Sequence, residues 1–262
     1  MVITINGKKI FFTAQGRGNT VVLLHGFTET LDIWNDFAVR LSANFHVITI
    51  DLPGHGRSEC LGEIHTMEAM AECVHAVLKS QRVTECAMAG HSMGGYVMLA
   101  FAEKYEEMMR GLCLFHSTAY ADTPDGKVNR QRTIDVIKKN HAGFISNFIP
   151  ELFAPANRSL LKREIQTLTE AARGMTKESI IASQRGMLER PDRSHVLKNC
   201  PVPVLIIAGK LDSRIPYEKV LQQMALPNDC IALLMGDVAH MGYLEATEKT
   251  FYALNSYLDG LW

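Results

Sequence analysis

Short, unbroken apolar runs constrain the fold of this chain more than any other feature. Val21-Val22-Leu23-Leu24 runs into His25-Gly26, and Val47-Ile48-Thr49-Ile50 into Asp51. Cys86-Ala87-Met88-Ala89 leads to Gly90-His91-Ser92, and Leu112-Cys113-Leu114-Phe115 to His116-Ser117. Val204–Ala208 ends at Gly209, and Ile231–Leu234 at Met235-Gly236. Such runs, bounded by turn signals, are what strands buried on both faces of a parallel sheet look like. Helical spacing fills the gaps over Trp34–Leu41, Thr66–Ser80, Met93–Lys104, Tyr217–Met224 and Glu245–Leu258. The start alternates like a hairpin, with Val2–Ile5 and Ile10–Ala14 flanking Asn6-Gly7. Alternating strand and helix predicts an α/β fold with a mostly parallel, doubly wound sheet. Ligands of such sheets bind beyond the carboxyl ends of the strands, where these His, Asp and Ser residues fall.

Residues 121–195 break the rhythm. They show no strand pattern but four helical stretches, Pro124–Asn140, Ala142–Ile149, Ser159–Ala172 and Thr176–Glu189, punctuated by Pro150, Pro155 and Gly174. The pattern predicts a core domain made of residues 1–120 and 196–262, with residues 121–195 inserted as an all-helical cap over the active edge. The cap holds 13 Lys and Arg against nine Asp and Glu, a net charge of about +4. That surplus reads first as a solvated helical surface and second as a weak preference for anionic substrates.

Gly90-His91-Ser92-Met93-Gly94 is a G-x-S-x-G pentapeptide between a strand pattern and a helix pattern. A serine at such a turn is held in a strained conformation with its hydroxyl clear of the backbone. Only small neighbours fit beside it, and the N–H of the next residue lies at a helix N-terminus. Ser92 is therefore the candidate nucleophile and the Met93 N–H one oxyanion donor. The second donor is expected from the loop after Val21–Leu24, at the Phe27 N–H, with Gly26 letting the backbone approach the substrate. A serine hydroxyl needs a base, and the base an orienting acid. His240, in the loop after the last apolar run, is the candidate base. Asp212, after the strongest apolar run, is the candidate acid, with Asp237 and Asp122 as competitors. His25 is expected to brace its loop and His91 to pack under the turn.

At this point the chain resembles the α/β-hydrolase fold family, in the group with a His-Gly-x-x oxyanion loop. His25-Gly26-Phe27, Asp51-Leu52-Pro53-Gly54-His55-Gly56-Arg57-Ser58, Gly90–Gly95, Asp212 and His240 carry the resemblance, over essentially the whole chain apart from the cap. It implies a hydrolase without metal or cofactor, and a structural role for the Asp51–Ser58 loop. A serine nucleophile argues against the haloalkane dehalogenase and epoxide hydrolase branches, which use aspartate. Hydrolysis of a small to medium apolar carboxylic ester through an acyl-enzyme on Ser92 is the base expectation. A C–C bond hydrolase, lactonase, thioesterase or perhydrolase would use the same triad, and a ligand-sensing receptor with slow turnover is the alternative of another class. The C–C hydrolases usually carry asparagine where His91 stands. Phe27, Phe144, Phe148 and Met241 are expected to line the pocket, with Arg185 and Gln184 as polar candidates to touch a substrate carboxylate.

A formal net charge of −1 gives no bias toward nucleic acid or a membrane surface. The six cysteines form no C-x-x-C pair, and the N-terminus lacks a basic, then apolar, secretory pattern. The expectation is a cytoplasmic monomer or homodimer whose partner is a small ester-like molecule.

Overall fold

A computed structural model describes all 262 residues. Eight strands form one sheet: β1 (Val2–Ile5), β2 (Lys8–Gln15), β3 (Thr20–Leu24), β4 (His46–Ile50), β5 (Cys86–His91), β6 (Met109–Phe115), β7 (Val204–Gly209) and β8 (Cys230–Met235). Their spatial order is β1-β2-β4-β3-β5-β6-β7-β8. The β1–β2 and β2–β4 pairings are antiparallel, and every later pairing is parallel. The β4-β3-β5 order reverses direction at β3, and a crevice opens there at the carboxyl ends of β3 and β5.

The apolar runs have a direct physical reason. Val22 and Leu24 of β3 pack into a core on one face of the sheet, Val21 and Leu23 into a separate core on the other. A strand with apolar packing on both sides cannot alternate. β8 is the exception among the expected strands. It is the sheet edge, and Ile231 is 52% exposed, so its apolar run does not signal two buried faces.

The helices outside the insertion are α1 (Asn35–Leu41), α2 (Met67–Ser80), α3 (Met93–Lys104), α9 (Tyr217–Met224), α10 (Gly242–Glu245) and α11 (Thr247–Asp259). Between β6 and β7 the chain is wholly helical: α4 (Pro124–Lys139), α5 (His141–Glu151), α6 (Lys162–Arg173), α7 (Lys177–Glu189) and the short α8 (Ser194–Lys198). Thr66, Thr123 and Thr176 cap α2, α4 and α7 by accepting from the N–H three residues on. α5 continues through Pro150, which sits in its last turn where a missing N–H forfeits only one bond. No helix is long and apolar enough to cross a membrane.

Candidate active site

Ser92 stands between β5 and α3 with φ 49° and ψ −113°, a region that a side chain rarely occupies. The surroundings over-determine it. Its N–H donates to the Phe115 carbonyl of β6 at 3.0 Å, and its own carbonyl accepts from Ser117 Oγ at 2.7 Å. A Cβ at Gly90 would strike the backbone of Gly94 and Gly95, and one at Gly94 would lie 2.5 Å from the Leu24 carbonyl oxygen. The turn thus closes only with glycine at both positions. Met93 opens α3, so its N–H has no intrahelical partner. The Phe27 N–H, after β3, likewise makes no backbone hydrogen bond.

Asp212 follows β7 and is buried. Its Oδ1 accepts from the Arg214 and Ile215 N–H groups at 2.8 and 3.0 Å. Its Oδ2 lies 2.8 Å from His240 Nδ1 and 3.2 Å from His116 Nδ1. Burial alone would raise the pKa of this carboxyl. The electrostatic pull of the facing His240 ring and the bonds from His116 and His240 instead hold it well below the usual carboxylate range. An ionised carboxylate only accepts, so both Nδ1 atoms carry protons, and the free lone pair of His240 is on Nε2. Burial pushes His116 down to about 4 against the pull of Asp212, so this second histidine is a neutral donor. Its Nε2 is buried without a partner. His116 has φ 48°, a left-handed conformation. The sequence marked it only as the end of an apolar run. The trio His116, Asp212 and His240 could also chelate a cation, at the cost of both His–Asp hydrogen bonds. Of the competing acids, Asp237 is exposed on the His240 loop and Asp122 is engaged by two arginines.

Beneath the turn lies a buried pair that sequence reasoning missed in part. His91 Nδ1 donates to Glu29 Oε2 at 2.8 Å, and Nε2 donates to the His240 carbonyl at 2.9 Å. Burial alone would lower the His91 pKa, but the Glu29 charge and hydrogen bond and the His240 carbonyl raise it. Glu29 also accepts from the Gly26 N–H at 2.6 Å and the Tyr243 hydroxyl at 3.0 Å. One carboxylate therefore ties the loop after β3 to α10 and, through His91, to the backbone of His240. An acid three residues past a His-Gly turn is the signal that could have pointed to it. His25 braces its loop: Nδ1 donates to the Gly26 carbonyl at 2.8 Å, and Nε2 accepts from the Leu52 N–H at 2.9 Å.

Ser92 and His240 open into one cavity of about 550 Å³. They make no hydrogen bond to each other. Such bonds are often long without substrate and tighten when it binds. Gly126, Asn129, Arg130, Thr133 and Val136 line the cavity at helical spacing along α4, Asn140 between α4 and α5, and Gly143, Phe144, Asn147, Phe148 and Glu151 along α5. Phe27 lies edge-on to Phe148, which stacks on Phe144. Only seven of the 23 lining residues are hydrophobic, so the pocket is far more polar than expected for an apolar ester. Two expected lining residues lie elsewhere. Arg185 turns outward to the Glu63 carbonyl at 3.2 Å and its carboxylate at 3.5 Å, because the inward face of α7 at that level belongs to Gln184 and Met187. Met241 is wholly buried in the hydrophobic core next to α10 and α11.

A family model described as alpha/beta hydrolase fold matches residues 19–169. A pimeloyl-[acyl-carrier protein] methyl ester esterase of Neisseria meningitidis is 30% identical over 249 residues, 92% of this chain and 77% of that protein. The (E)-2-((N-methylformamido)methylene)succinate hydrolase of Acinetobacter baylyi is 21% identical, covering 97% of this chain and 95% of its own. Among solved structures, a thermophilic esterase from Thermogutta terrifontis, with malate bound, superimposes with a TM-score of 0.93 at 28% identity. That match covers 100% of this chain and 98% of the esterase.

Proposed function

This chain belongs to the α/β-hydrolase fold family, and from that premise we propose that it is a serine hydrolase of carboxylic esters. Ser92 is the nucleophile, His240 the base, and Asp212 the acid that orients the base. The observation that carries the reading is the 2.8 Å hydrogen bond from His240 Nδ1 to Asp212, which leaves Nε2 basic in the cavity that Ser92 enters. The relatives named as esterases and hydrolases support the same chemistry.

In this mechanism His240 Nε2 takes the Ser92 proton as Oγ attacks the ester carbonyl. The oxyanion that forms is met by the Phe27 and Met93 N–H groups, donors with no competing partner. The imidazolium, stabilised by Asp212, returns the proton to the leaving alcohol, and an acyl-enzyme remains. His240 then activates water, and the carboxylic acid leaves. We assign residues 121–195 as the cap and residues 1–120 and 196–262 as the core, because the site's floor comes from strand ends and its roof from α4, α5 and α7.

A fluorophosphonate probe should label Ser92, and short p-nitrophenyl esters should turn over. Ser92→Ala and His240→Ala should each lower kcat by about 10³-fold or more. Retention of most activity by either variant would remove that residue from the mechanism.

A further inference from the structure

Two arginines, Arg130 and Arg214, line the cavity. Near α5, Arg214 is neutralised by Glu151 at 3.1 Å. At the floor, Glu29 is neutralised by His91. Beside α4 two guanidiniums share the Asp122 carboxylate, and Asp192 adds its charge near Arg190. Arg130 Nε donates to Asp122 Oδ2, and Arg190 Nη2 donates to Oδ1 at 2.8 Å.

The two arginines differ in what they have left to offer. Arg190 is 4% exposed and built into the protein. It lies 4.1 Å over the Tyr96 ring, and it donates to the Met187 and Tyr120 carbonyls. Arg130 lines the cavity and is 20% exposed. Its Nη1 donates to Gln184 Oε1 at 3.2 Å and to Met187 Sδ at 3.5 Å, and both partners are buried. Nη2 has no partner in the protein. Asp122 on Nε and Gln184 on Nη1 thus fix the guanidinium plane, and Nη2 is the nitrogen left to donate into the cavity. Tyr96, on which the cluster rests, is one turn past Ser92 on α3, about 6 Å along the helix axis. Phe27, Phe144 and Phe148 supply apolar wall in the same cavity.

We propose that Arg130 is a specificity residue that receives a carboxylate on the substrate, so that the preferred esters are anionic ones with a short apolar spacer between carboxylate and ester. A guanidinium nitrogen whose N–H groups are free, on a plane fixed by its neighbours, can donate to a carboxylate oxygen. The ester part of this inference rests on the serine hydrolase reading; the anion subsite does not.

The test compares kcat/KM for matched esters. Monomethyl glutarate is set against methyl pentanoate, and 4-acetoxybutyrate against butyl acetate, so that the carboxylate lies on the acyl side or the alcohol side. At least one anionic ester should exceed its neutral partner about tenfold or more. Arg130→Gln should collapse that ratio through KM, and Arg130→Lys should keep part of it. Neutral esters equal to or better than both anionic ones would overturn the proposal, as would an Arg130→Gln loss shared equally by both classes. If Arg130→Gln fails to fold, the wild-type ratios still decide. A binding arm keeps the two readings apart: glutarate should raise the Tm of Ser92→Ala and do so less in Ser92→Ala/Arg130→Lys. That rise without turnover of any ester would sink the ester reading and uphold the subsite; turnover without charge preference would do the reverse.

Discussion

Two histidines beside the site show how much one residue's surroundings decide. His116 gives Asp212 a second hydrogen bond on the oxygen that His240 uses. Removing that donor makes the carboxylate more basic and stabilises the His240 imidazolium. His116→Phe should therefore move the acid limb of the kcat/KM pH profile upward, and an unmoved limb would show that His116 does not tune the base. The stability effect should be small, since the variant loses one hydrogen bond worth about 1 kcal/mol and also loses a buried nitrogen with no partner. His91 behaves in the opposite way. Its raised pKa means that its contribution to stability is full below its ordinary value of 6.5 and is lost as pH rises through the folded-state value. Glu29, lowered from 4.5 by His91 against the effect of burial, contributes above 4.5 and loses that contribution as pH falls through its folded-state value. Breaking such a buried pair costs about 3–5 kcal/mol. Glu29→Gln should thus lower Tm most at pH values between these limits. A Tm gap that is constant from acid to alkaline pH would contradict the ion pair.

The turn between β5 and α3 is the element on which the site depends, and its tolerance is set by backbone rather than side chains. A methyl group at Gly94 meets the Leu24 carbonyl, which β3 cannot withdraw while it is paired on both sides. Gly94→Ala should cost about 1–3 kcal/mol and should also depress kcat, because α3 can yield only by shifting the Met93 N–H. Calorimetry and p-nitrophenyl ester kinetics on one preparation check both, and an unaffected kcat would detach the oxyanion role from the helix start. The strands and the turn were legible because their causes are local. Two-sided burial makes unbroken apolar runs, and the strained serine needs small neighbours. The sequence also carried His240 and Asp212 as candidates, since each follows an apolar run. It did not carry Glu29, Arg130 or Arg190, whose partners lie 62, 8 and 68 residues away with no repeating spacing to announce them. Arg185 misled because one helical step separates it from Gln184, and the rotation of α7 is fixed by contacts with the core.

Those contacts set the mechanics of the whole molecule. A Cβ at Gly186 would overlap the His65 carbonyl, so α7 lies directly on the segment before α2. The His65 N–H donates to the Ala182 carbonyl at 3.0 Å, and Arg193 reaches Glu68 and Glu103 on α2 and α3. α6, by contrast, buries only Leu168 and Ala172. Hydrogen exchange should find α7 protected nearly as well as β5, with α6 opening first. Equal exchange across α6 and α7 would refute this division of the insertion. For anyone wishing to redirect this protein to other substrates, the seat of α7 divides the roof into a part that can be edited and a part that cannot. Changes along the inner faces of α4 and α5 alter the fit of a guest while the foundation stays put. Any side chain larger than hydrogen at position 186 would instead lift the roof from its footing, and a library that varies both at once would mix altered taste with simple collapse.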